Sequence, residues 1–151
     1  MKDYDRHRFM TEPHLWLYKN NDGDICINPS SVEFTDNQTL TRYRRSLCDT
    51  LCQIDLVLIG RLNTDAIPSC DKIETKLRIN KSSNGIISIN DIDLRDIKTE
   101  ALIRDRRTIR KALLKIDSSM TSRVEFIAKN LICEEQNLSH QKQNNNDTNE
   151  I

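Results

Sequence analysis

Glycine and proline are scarce in this chain, with three of each among 151 residues. Glycine stands only at positions 23, 60 and 85, so no glycine-rich loop is available to cradle a phosphate group. Aromatic residues make up 5% of the chain and tryptophan occurs once, which leaves little with which to stack on single-stranded bases. Net charge is also missing, because 23 basic residues meet 23 acidic ones. Tight non-specific binding to nucleic acid normally goes with a basic domain, so this balance argues against it. Long hydrophobic runs are absent. The densest, Ile54 to Ile59, is interrupted by Asp55, and a bilayer span needs about 20 apolar residues. The opening MKDYDRHRF has no apolar stretch of the kind a secretory signal carries. The expectation is an intracellular protein of cytoplasm or nucleus, with no membrane contact.

Cysteine usage points the same way. Cys26, Cys48, Cys52, Cys70 and Cys133 are odd in number and scattered without framework spacing, as small buried residues of a reducing compartment are. Isoleucine outnumbers valine by 18 to 3 and there are 14 asparagines. That bias suggests an AT-rich genome, such as many viruses have. It normally favours lysine, yet arginine leads by 13 to 10, which supports a use for the planar guanidinium fork.

The pattern of the chain predicts an α+β fold: two β-hairpin–helix units form a small antiparallel sheet packed on helices, with a long C-terminal helical region. Residues 1–13 read as an N-terminal arm, 14–133 as a single domain and 134–151 as a disordered polar tail, since EEQNLSHQKQNNNDTNEI has almost no apolar content. In the first half, the runs at 14–18 and 25–27 flank Asn20-Asn21-Asp22-Gly23, a hairpin turn. Thr35 with Gln38 fits a capping box. It opens a helix over about 36–62, with Leu40, Tyr43, Leu47, Leu51, Ile54 and Leu58 in one stripe and Gly60 and Asn63 closing it. In the second half a strand over 73–80 alternates apolar and polar residues, Asn84-Gly85 turns the chain, and a helix begins near Asp91 or Asp93. That helix has no Gly or Pro through Cys133. Its stripe runs Leu94, Ile97 and Ala101, passes a polar gap, and resumes at Ile109, Leu113, Ile116, Met120, Val124, Ile127 and Leu131. A break at Asp117-Ser118-Ser119, giving two antiparallel helices, is favoured over one helix of about 40 residues, which is rare in a compact domain.

Candidate chemistry is thin. Aligned as a calcium loop, Asn20–Ile25 would put Tyr18 and Pro29 at positions that need carboxylates, so a turn is the better reading. Cys48 and Cys52 lie one helical turn apart without the second pair that zinc requires. Of His7, His14 and His140, only His14 falls in an ordered element, and no carboxylate stands paired in apolar surroundings that would perturb its pKa. No catalytic residue, cofactor or metal is expected, and the chain reads as a non-enzyme.

What remains is charge. Residues 104–115, RDRRTIRKALLK, carry six basic residues against one acidic. Arg104, Arg107, Lys111 and Lys115 recur at three- and four-residue steps, with Arg106 and Arg110 in a neighbouring row. Arg42, Arg44 and Arg45 form a second basic cluster. The functional expectation is a protein-interaction, assembly or regulatory subunit, viral in the reading its composition favours, docking on a protein partner or on itself through the C-terminal helical region. The alternative is a nucleic-acid-binding factor that uses the 104–115 face.

Overall fold

A computed structural model describes residues 13–64 and 76–149. The chain divides between Asp117 and Ser118 into two compact units. The first is α+β. Its strands are β1 (His14–Lys19), β2 (Ile25–Ile27), β3 (Ser30–Ser31), β4 (Leu77–Lys81), β5 (Ile87–Ile89) and β6 (Ile92–Asp93), and its helices are α1 (Asn37–Thr64) and the opening part of α2 (Thr99–Asn149). All strand pairs are antiparallel, in the order β3-β2-β1-β4-β5-β6.

The two similar halves seen in the sequence are a structural repeat. Residues 62 positions apart, as Gly23 and Gly85 or Asn28 and Asn90, play the same part in each half. Both glycines have positive φ, which costs them nothing in a tight turn, and both asparagines adopt the left-handed conformation that asparagine tolerates better than most residues. Each asparagine side chain then accepts from a strand amide, Trp16 N in the first half and Arg78 N in the second, at 2.7 and 2.9 Å. Registers repeat as well. Leu17 faces Ile27 while Ile79 faces Ile89, and Cys26 faces Ser31 while Ser88 faces Asp93. At the centre of the sheet Trp16 pairs with Arg78, its own counterpart 62 residues on, so a pseudo-two-fold axis passes between them.

Alternation places Leu15, Leu17, Leu77 and Ile79 on the buried face of the central strands. The helices cover that face crosswise. Ser46, Asp49 and Thr50 of α1 share a small pocket lining with Ile79, Lys81 and Ile87 of the second half, while Thr108, Lys111 and Ala112 of α2 line a pocket with Leu17, Lys19 and Ile25 of the first. Two equivalent ion pairs then join helix to helix, Arg44 to Asp117 at 2.7 Å and Arg106 to Asp55 at 2.5 Å. Each half therefore finishes the other's core.

Several local expectations are corrected. Asp36, not Thr35, caps α1: its Oδ1 accepts from Thr39 N at 2.7 Å, while the Thr35 hydroxyl donates to Ser31 O. Gly60 and Asn63 do not stop α1, which continues to Thr64, since one helical glycine costs only about 1 kcal/mol. Asp93 caps a 3-10 turn at Leu94–Asp96, and α2 starts later, at Thr99. The second-half strand begins at Leu77; residues 73–75, most of the 63–71 connection with Cys70, and residues 1–12 lie outside the described residues. The two apolar stripes largely keep their expected phase, with Leu94, Ile97, Ala101, Ile109 and Ile116 buried in the second, and depart from it only at single positions. Leu40, Tyr43, Leu47, Thr50 and Ile54 are buried on α1, and Leu51 is half-buried. On α2 the buried row is Leu102, Asp105, Ile109, Ala112 and Ile116, and Leu113 is half-buried.

The break expected at Asp117-Ser118-Ser119 does not occur. α2 is one helix of 51 residues, Thr99–Asn149. Serine costs a helix interior a few tenths of a kcal/mol relative to alanine, and no Gly or Pro stands in the way. The helix also continues through 134–149, the stretch whose composition reads as a tail.

Candidate functional site

The basic run 104–115 does not form one face, because the fold draws its members into different roles. Arg106 points its guanidinium at Asp55 on α1, and Lys115 donates to Glu33 at 2.8 Å. The hydrogen bond to each carboxylate holds the Arg106 and Lys115 pKa values above their ordinary range, and the same contact lowers that of Glu33. Arg104 is half-buried, with its guanidinium 4.0 Å from Asp105. Arg107, Arg110 and Lys111 are left exposed, and among the described residues none of the three forms an ion pair. In the second cluster, Arg44 is committed to Asp117 and the Arg42 guanidinium donates to the Thr39 hydroxyl at 3.2 Å. Arg45 is half-buried. Two of the six expected contact residues, Arg106 and Lys115, thus tie the first unit together.

The polar gap in the α2 stripe holds the one strongly perturbed group among those described. Asp105 is 5% exposed, and its repeat counterpart is the buried Tyr43. Burial pushes the carboxyl up to about 6, with Arg104 partly offsetting the rise. This corrects the expectation that no carboxylate sits in apolar surroundings. The residue was hidden by its neighbours: in an R-D-R-R context an aspartate looks like a solvated counter-charge. Superposing the halves on Gly23 and Gly85 brings it opposite Tyr43 and exposes the anomaly.

Other candidates take ordinary places. His14 lies on a central strand, its Nδ1 2.7 Å from Asn80 Oδ1. Asn20 holds its turn by accepting from Asp22 N and Asp24 N, as a hairpin asparagine does. Cys26 is buried, but Cys48 is half-buried and Cys52 and Cys133 are exposed, so core packing does not account for all the thiols. Among the described residues no group of three His, Cys, Asp or Glu side chains is placed to hold a metal ion. No helix among them is long and apolar enough to cross a membrane.

The second unit, residues 118–151, carries a row of exposed apolar residues. Val124, Ile127, Leu131 and Leu138 recur at steps of three, four and seven, and they are 64, 57, 56 and 58% exposed. Phe126 and Ile132 are also exposed, but they fall at positions about 120° around the helix from that row. Steps of three and four that alternate in this way are the a and d positions of a heptad, with Glu134 at the remaining d position. A helix buries such a row by setting it against another helix. Isolated surface leucines are common, but four exposed apolar side chains aligned within 15 residues of one helix form a row of the kind that marks an interaction site.

No family model, curated protein or solved structure matches this chain.

Proposed function

We propose that the protein is a non-enzymatic assembly subunit that associates with further copies of itself through the helix of its second unit. The observation that carries this reading is the exposed row Val124, Ile127, Leu131 and Leu138. Its heptad spacing suits a second helix of the same kind, because knobs at a and d fit the holes made by an identical seam. The first unit is then a stable head, and the helix is the element that counts copies.

The test is a double variant, Ile127→Glu with Leu131→Glu, measured by light scattering on a sizing column. The mass is expected to fall to that of one chain, 17.6 kDa, while the circular dichroism of the first unit persists. A variant with the parent's assembled mass would overturn the reading. The nucleic-acid alternative keeps Arg107, Arg110 and Lys111 as its available cations. It predicts affinity for mixed DNA or RNA that falls steeply with added salt.

A further inference from the structure

The pseudo-two-fold axis gives each surface feature a twin, and one pair of twins differs in a way that points to a ligand. Between α1 and strands β4 and β5, the Lys81 ammonium donates to Asp49 at 2.7 Å, and the space there closes to about 10 Å³. The counterpart, between α2 and strands β1 and β2, is an open pocket of about 330 Å³. Lys19 stands where Lys81 stands, but the place of Asp49 is taken by Lys111 and the place of His14 by Lys76. Leu17, Ile25 and Ala112 give this pocket an apolar floor, and among the described residues no carboxylate lines it. Among the described residues neither Lys19 nor Lys111 meets a carboxylate within ion-pair distance, and the Lys76 ammonium stands 5.7 Å from the centroid of the Trp16 ring.

We propose that this pocket binds a small multiply charged organic anion, a phosphate ester or a polycarboxylate, with Lys19 and Lys111 at the charged group and its carbon skeleton on the apolar floor. The chemistry follows from the substitution itself. Where the closed twin satisfies one lysine with one internal carboxylate, the open pocket is lined by Lys19 and Lys111, and among the described residues it supplies neither with a carboxylate. An anion that enters from solvent can meet both ammonium groups and so bridge strand and helix. Lysines suit a ligand whose charge is spread over several oxygens, because each ammonium acts as an adjustable point charge. Thr108 adds a hydroxyl at the rim; that hydroxyl donates to Arg104 O and remains free to accept.

The experiment follows the thermal midpoint of the full chain with sodium pyrophosphate or sodium citrate, against potassium chloride at matched ionic strength. The parent is expected to rise with at least one of the two anions beyond the chloride control. A preference for pyrophosphate assigns a phosphate ligand and a preference for citrate a carboxylate one. Lys111→Asp restores the lysine–aspartate pair of the closed twin. It is expected to melt higher than the parent without anion and to bind the preferred anion more than about tenfold more weakly. Lys19→Met, which removes charge without adding a carboxylate, gives the same loss of response should the first variant fail to fold. Failure of both anions to exceed chloride, or an undiminished response in the folded variants, would overturn the proposal.

Discussion

Ile109 and Ile127 lie on the same helix, in stretches of similar apolar spacing, yet one is 0% exposed and the other 57%. The first belongs to the unit that ends at Asp117, where the helix closes a core against the other half's strands; the second belongs to a unit made of helix alone. The difference teaches that an apolar stripe fixes which side of a helix must be covered and leaves open what covers it. In the first unit the cover is intramolecular and comes from the repeat. In the second, no other described element of the unit provides it, and the proposed partner is a further copy.

The comparison breaks most sharply at the core. Leu47→Ala and Ile109→Ala each empty a fully buried site and should each lower stability by about 2–5 kcal/mol in chemical denaturation. Leu51 and Leu113, only half-buried, should lose clearly less when truncated in the same way.

Next comes the buried carboxyl. Asp105 has a folded-state pKa raised from 3.8 to about 6, so its protonated form is the one the core accepts. The stability it contributes is therefore fully present below about pH 4 and is lost as pH rises through 6, a change of about 3 kcal/mol. Asp105→Asn should flatten that slope and raise stability at pH 8, as read by denaturation at a series of pH values. A slope equal to the parent's would place the titration elsewhere.

The smallest effect is expected on the surface. Lys115→Ala breaks the pair with Glu33, whose side chain is 54% exposed, and should leave the thermal midpoint close to the parent's. If it melts far lower, the pair is a structural tie of more weight than its exposure suggests.

Much of this architecture was legible in the sequence, and the failures share a physical cause. Both hairpins could be read from Asp22-Gly23 and Asn84-Gly85, because a backbone with positive φ leaves glycine little competition. The α+β class followed from alternation in the strands and three- and four-residue steps in the helices. Helix phase was read correctly at Leu47 and Ile109, but Leu51 and Leu113 look equally apolar and are only half-buried, since the crosswise packing of the halves decides how wide the covered arc is. The end of α2 was missed because exposed polar residues neither require nor forbid a helix. Of the candidate site, the apolar row through Leu131 could be read directly. Arg106 and Lys115 were misjudged because their partners, Asp55 and Glu33, lie 51 and 82 residues away in sequence.

The account rests on the uncovered seam of the second unit, and sedimentation equilibrium of the full chain over about a hundredfold range of concentration tests it most directly. The mass is predicted to approach a whole multiple of 17.6 kDa at high concentration and to fall towards one chain on dilution. A mass of 17.6 kDa at every concentration would contradict self-assembly through Val124, Ile127, Leu131 and Leu138.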